Sequence, residues 1–208
     1  MPPTRASPET RRHNHAMART LALPLSGDTA ADTLLEKEPL ALLVGMVLDQ
    51  QIPLERAFKS PHDLKERMGG ALDAAAIAAR DPEELGAIFA TPPALHRFPG
   101  SMAKRVRELC RVLLDDYDGE AERVWSTAAD GAELLHNVKA LPGFGEQKAR
   151  IFVALLGKRL GVQPPGWREA AGPFGEKGSF LSVADIDGPD ALAKVRAHKK
   201  ELKARAKA

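Results

Sequence analysis

Residues 130–161 read DGAELLHNVKALPGFGEQKARIFVALLGKRLG, and the fold turns on this stretch. Leu134, Leu135 and Val138 recur at helical spacing, so the spacing predicts a helix over 130–140. Leu141-Pro142-Gly143-Phe144-Gly145 interrupts it, and a second helix follows over 146–160, stopped by Gly161. A Pro-Gly-x-Gly turn bends the chain tightly, because glycine tolerates positive φ. The second helix then starts with its free N–H groups beside a turn almost without side chains. Such a start can hold a phosphate through backbone donors and the helix dipole. Gly143 and Gly145 leave room for a DNA backbone, and Lys148, one turn in, is placed to reach a neighbouring phosphate. The same spacing also suits a helix–helix turn of purely structural purpose.

Upstream, residues 39–49 read as a buried helix, apolar almost throughout, with Pro39 in its first turn. Gln50 and Gln51 follow, and Pro53 opens a short helix over 54–58. Ser60-Pro61 reads as the cap of another helix, ending near Gly69-Gly70. Asp81-Pro82-Glu83-Glu84 is a helix start with a cap, a proline and acids in the first turn. Ser101 precedes a long amphipathic helix whose apolar face holds Val106, Leu109, Cys110, Leu113 and Leu114. Downstream, residues 162–181 read as loop and 182–190 as turn, and Pro189 opens a last helix. No alternating strand pattern of useful length occurs, so the expected fold class is all-α.

Composition narrows the function classes. Aromatic residues are only 5% of the chain while 44% is apolar, a balance that favours helices with a real core. One cysteine, Cys110, excludes an internal disulfide and any cysteine-ligated zinc or iron–sulfur site. The six histidines are scattered, so neither a metal nor another cofactor is expected. The longest apolar run, 40–48, is too short to span a bilayer, and a cytoplasmic monomer is expected. Charge is uneven beneath the net +2. Residues 194–207 hold seven cations against Glu201 alone, residues 1–19 hold four arginines against Glu9, and residues 20–193 are left at −7. The expected organisation is a disordered extension over 1–19, with Met17 as an alternative start, a helical domain over 20–190, and a basic helix and tail over 191–208.

LPGFGEQKARIFVALLG resembles the hairpin of the helix-hairpin-helix DNA glycosylase superfamily, which includes endonuclease III and 3-methyladenine DNA glycosylase II. LLVGMVLDQQIPLERAF is similar to the glutamine-bearing helix end of that family's core, and DPEELGAIF with KRVRELCRVLLDD to the next two core helices. The likeness runs in order over residues 38–161. It implies a two-lobed helical domain that binds double-stranded DNA and extrudes a damaged nucleotide into a pocket between lobes. An aspartate would then stabilise the cationic sugar while water displaces the base. By position, Gln51 and Gln50 match the family's glutamine near the flipped site; both also suit a helix end as polar caps.

The likeness has departures. The family's lyase branch has a lysine two residues after the second hairpin glycine; Gln147 stands there. Lys148 is displaced from it by ~100° around the helix and is expected to miss that pocket, so no lyase activity is expected. The iron–sulfur cysteines are absent. The family's aspartate follows the second hairpin helix, where this chain has QPPGW and an insertion. The first aspartate beyond it is Asp185, in SVADIDG, which becomes the candidate catalytic acid; its alternative is a capping role with Ser182. The insertion carries Trp167, Phe174 and Phe180, which suit anchoring on the core or stacking on an extruded base. Glu146, beside the proposed phosphate site, would repel DNA.

Three readings fit this sequence. The first is a monofunctional glycosylase that hydrolyses the N-glycosidic bond of a damaged, for instance alkylated, base in base-excision repair. The second is a non-catalytic DNA-binding module that kept the fold and lost the acid. The third is a helical protein-interaction domain with a structural hairpin.

Overall fold

The computed structural model describes residues 23–205. The extension expected over 1–19 and the last residues of the basic tail lie outside the described residues. Among the described ones there are α-helices, two 3-10 turns and no strand, so the all-α expectation holds. In chain order the helices are α1 (Thr29–Lys37), α2 (Pro39–Leu48), α3 (Leu54–Arg67), α4 (Ala74–Ala79), α5 (Pro82–Ala90), α6 (Pro99–Tyr117), α7 (Arg123–Ser126), α8 (Gly131–Ala140), α9 (Glu146–Arg159), α10 (Trp167–Ala171) and α11 (Pro189–Arg205). No helix among the described residues is long and apolar enough to cross a membrane.

α2 is buried on every side from Leu40 to Leu48, as a helix apolar all round must be. It is the axis of the molecule. α1 and α3 pack on one side of it and α6 on another, while α4 and α5 lie against α6. α8 and α9, the two arms of the hairpin, pack together with α10. One contiguous core joins these groups, from Leu23 to Val195, with Phe58, Phe89 and Phe152 among its largest buried side chains. Cys110 belongs to it; burial pushes its thiol up to about 12, so it packs as an inert apolar group.

Capping follows the sequence closely. Asp81 accepts from the N–H groups of Glu83 and Glu84 at 2.8 and 3.2 Å, and Asp130 accepts from Glu133 N–H at 2.8 Å.

Two local expectations are corrected. Ser60-Pro61 does not start a new helix; α3 runs straight through it. Phe58, Ser60, Pro61 and Leu64 are all buried, and this burial outweighs the hydrogen bond that the proline cannot donate. Ser60 Oγ, meanwhile, donates to the carbonyls of Arg56 and Leu95, both at 2.7 Å. The loop expected over 162–181 contains α10, a 3-10 turn at Gly172–Gly175 and the approach to a second at Val183–Asp185. Trp167 is the cause: its ring lies flat against α9 where Gly157 has no side chain, and a Cβ there would come within 2.4 Å of it. Trp167 is therefore an anchor. Phe174 and Phe180 also pack against the core.

Candidate nucleic-acid interface and base-receiving cleft

A cleft of about 1170 Å³ opens between the α2–α3 turn, the start of α9, α11 and the 3-10 segment that supplies Ser182, Val183 and Ile186. One wall is the end of α2 and the turn into α3, with Asp49, Gln50, Gln51 and Ile52. The floor is the start of α9, with Gly145, Gln147, Lys148 and Ile151. The third wall is α11, with Val195, Arg196, Lys199 and Lys200. The basic C-terminal helix is thus part of the cleft. Ala191 and Val195 bury its inner face, and Arg196 pairs with Glu55 of α3.

The hairpin turn has the geometry its residues dictate. Gly143 takes φ 91°, a left-handed conformation costly for other residues, and a Cβ there would press on Arg105 at 3.0 Å and Val47 at 3.4 Å. Gly145 is different. It is exposed, with φ −73°, and a Cβ would meet nothing within 4 Å, so the space beside the first turn of α9 is open to a partner. Glu146 follows, held between Lys139 and Arg150, the latter at 2.7 Å. The Lys139 and Arg150 contacts hold its carboxyl below the usual carboxylate range. Its negative charge beside the hairpin turn is therefore matched within the fold.

Lys148 corrects two expectations. Its side chain does not extend to solvent: Nζ donates to the carbonyls of Met46 at 2.7 Å and Val47 at 3.4 Å, capping the last turn of α2. Nor does it avoid the pocket of Gln147; both line the cleft, since a lysine stem is long enough to swing across one helical position. Burial pushes its ammonium down to about 8, with Asp49 opposing the shift and Arg105 adding to it. At neutral pH the group remains a donor to carbonyls.

Gln50 and Gln51 both line the cleft, with different environments. Gln50 is half-buried: its amide donates to Val47 O at 2.7 Å, and its oxygen accepts from Arg105 at 3.3 Å. Gln51 is exposed and sits at φ 57°, a conformation that side-chain-bearing residues adopt at a cost.

Asp185 is not at the cleft mouth. Its carboxylate, 3% exposed, lies 2.6 Å from Lys158 Nζ and accepts from Ser179 Oγ and the N–H groups of Leu181 and Ser182. It completes a capping box with Ser182. The polar groups of the inserted segment surround it first, which turns it away from the space between the walls. The carboxylates that line the cleft are Asp49, Glu55 and Glu146. Of these, Glu55 and Glu146 are paired with cations. Asp49 makes no side-chain hydrogen bond or ion pair among the described residues and ends α2 directly before the glutamines. Sequence reasoning passed over it; the available signal was its place inside the glutamine-bearing block.

The hairpin start, the glutamines and the cations of α11 thus border one cleft of an all-α fold. The chain matches the model of the HhH-GPD superfamily base excision DNA repair protein family over residues 44–205, and it belongs to that superfamily. No curated protein and no solved structure matches it.

Proposed function

We propose that the protein binds double-stranded DNA at the hairpin, receives an extruded damaged base in the cleft, and hydrolyses its N-glycosidic bond without a lyase step. The observation that carries this reading is Asp49, a cleft-wall carboxylate without a hydrogen bond or ion pair among the described residues, which faces the Lys148 ammonium and, across the cleft, the cations of α11. A fixed negative charge there would oppose the positive charge that grows on the sugar as the C1′–N bond breaks. The same carboxylate would take a proton from the water that attacks C1′, while the departing base carries its electron pair away. Arg196, Lys199 and Lys200 would hold the backbone beside it, and the open edge at Gly145 would admit a phosphate to the start of α9. Gln147 supplies no amine for imine formation, and Lys148 is tied to α2.

The test is base release from duplexes carrying alkylated, deaminated or oxidised bases. Wild type should release one of these classes, and Asp49→Asn should lower release by ~100-fold or more while duplex binding survives. Full release by Asp49→Asn would exclude Asp49. A second reading, a binding module without hydrolysis, is favoured by the sequestration of Asp185, the acid that stands in the family's order. It predicts selective binding by wild type and no release from any substrate class.

A further inference from the structure

The segment between α5 and α6 has no helix of its own, yet it is held firmly. Arg56 of α3 donates to the carbonyls of Pro93 and Ala94 at 2.7 and 2.6 Å, and Ser60 to that of Leu95 at 2.7 Å. His96 follows, 2% exposed. The backbone N–H of Phe98 donates to its Nδ1 at 3.0 Å, so that nitrogen carries no proton. The ring proton is therefore on Nε2, which donates to the Gln50 carbonyl at 2.8 Å. One ring thus joins two backbone points that flank it: the turn bearing the exposed, left-handed Gln51, and the corner bearing Phe98. Phe98 is 43% exposed, and the Arg97 guanidinium sits 4.8 Å from its ring centroid.

We propose that His96 is a positioning residue for damaged-base recognition: its neutral ring couples the Gln50–Gln51 turn to the Phe98 corner, so that Gln51 and Phe98 meet the duplex as one rigid pair. The proposal rests on the reading of the cleft as the receiver of an extruded base. A neutral histidine suits the task, because it accepts at one end and donates at the other. An imidazolium cannot accept, so acid strips Phe98 N–H of its partner and opens the link. Burial holds the ring below the ordinary histidine range against the favourable Gln50 bond, and the charged groups facing it, Arg97 from its own segment and Lys148 from α9, oppose protonation further. The link is intact at neutral pH and opens only in acid below the ordinary histidine range.

The test uses the full chain. Without DNA, the ¹⁵N shifts of the His96 ring should show Nε2 protonated and Nδ1 bare, and the Gln51 and Phe98 amides should follow the ring's titration on one curve. Amides that ignore the ring overturn the proposal. With DNA, fluorescence anisotropy compares an intact duplex with one containing a tetrahydrofuran abasic site. Wild type should prefer the abasic duplex at neutral pH and lose about tenfold of that preference in acid, the worth of one buried hydrogen bond. His96→Asn, which keeps an acceptor near Phe98 but no donor to Gln50, should lose a similar factor at neutral pH. His96→Gln, which can still reach Gln50 but offers Phe98 N–H no acceptor, stands in for the protonated ring and should lose a similar factor at every pH. All three should bind the intact duplex equally. A wild-type preference that His96→Asn retains, acid dependence included, sinks this inference alone. A wild type with no preference at any pH sinks the base-recognition reading and this inference with it.

Discussion

The Lys158 ammonium lies 2.6 Å from the Asp185 carboxylate, and their side chains are only 14% and 3% exposed. Removing one member of such a buried pair leaves the other charged and uncompensated, at a cost of about 3 kcal/mol or more. Asp185→Asn should therefore lower the thermal midpoint clearly in calorimetry, while the folded fraction keeps its duplex affinity. A variant as stable as wild type that loses base release would return Asp185 to the chemistry.

Glu146 holds Lys139 and Arg150 beside the open edge of the hairpin. Glu146→Gln should free both cations for phosphate. Duplex affinity should rise, and the slope of log affinity against log salt should steepen by about 0.9 for each new phosphate contact. An unchanged slope from a salt titration would place DNA away from this edge.

Lys148 should titrate as the odd lysine of the chain, near 8, in NMR of the reductively ¹³C-methylated protein. Between that value and the ordinary 10.5, the native state holds fewer protons than the unfolded chain, so this group makes stability rise with pH across the window. Below about 8 both states are protonated, and its contribution no longer varies. Denaturant midpoints measured from pH 7 to 10 in wild type and Lys148→Met check the sign: the rise should shrink in the variant.

The two hairpin glycines should separate folding from binding. Gly143→Ala forces a side chain into φ 91° against Arg105 and should cost about 1 kcal/mol or more of stability. Gly145→Leu meets open space, so melting should hardly move while duplex binding weakens. If Gly145→Leu binds as wild type does, the hairpin turn does not face the DNA.

The sequence exposed most strongly what local backbone chemistry decides. Asp81, Asp130 and Pro-Gly-x-Gly each act within a few residues, and each formed the expected start or turn. Ser60-Pro61 misled because burial by distant partners overrode a local stop signal. α10 escaped notice because five residues are too few to show a helical period, and its cause, the bare surface of Gly157, lies on another helix. That Asp185 is sequestered was illegible for a related reason. It depends on Lys158, Ser179 and Ser182 closing around the carboxylate. His96 carried no sequence signal at all, since its role exists only once the Gln50 carbonyl and the Phe98 amide converge on it.

Trp125 and Trp167, the chain's two tryptophans, are each 6% exposed, and neither lines the cleft. Trp125 stacks edge-on against Phe152, and Trp167 is wedged on Gly157. The chain's intrinsic emission is consequently a reporter of the hairpin's packing and is largely blind to what enters the cleft. Its maximum is set by apolar surroundings and shifts to the red when the core opens, so fluorescence reads unfolding cleanly even with DNA bound, whereas occupancy has to be read from a label on the nucleic acid.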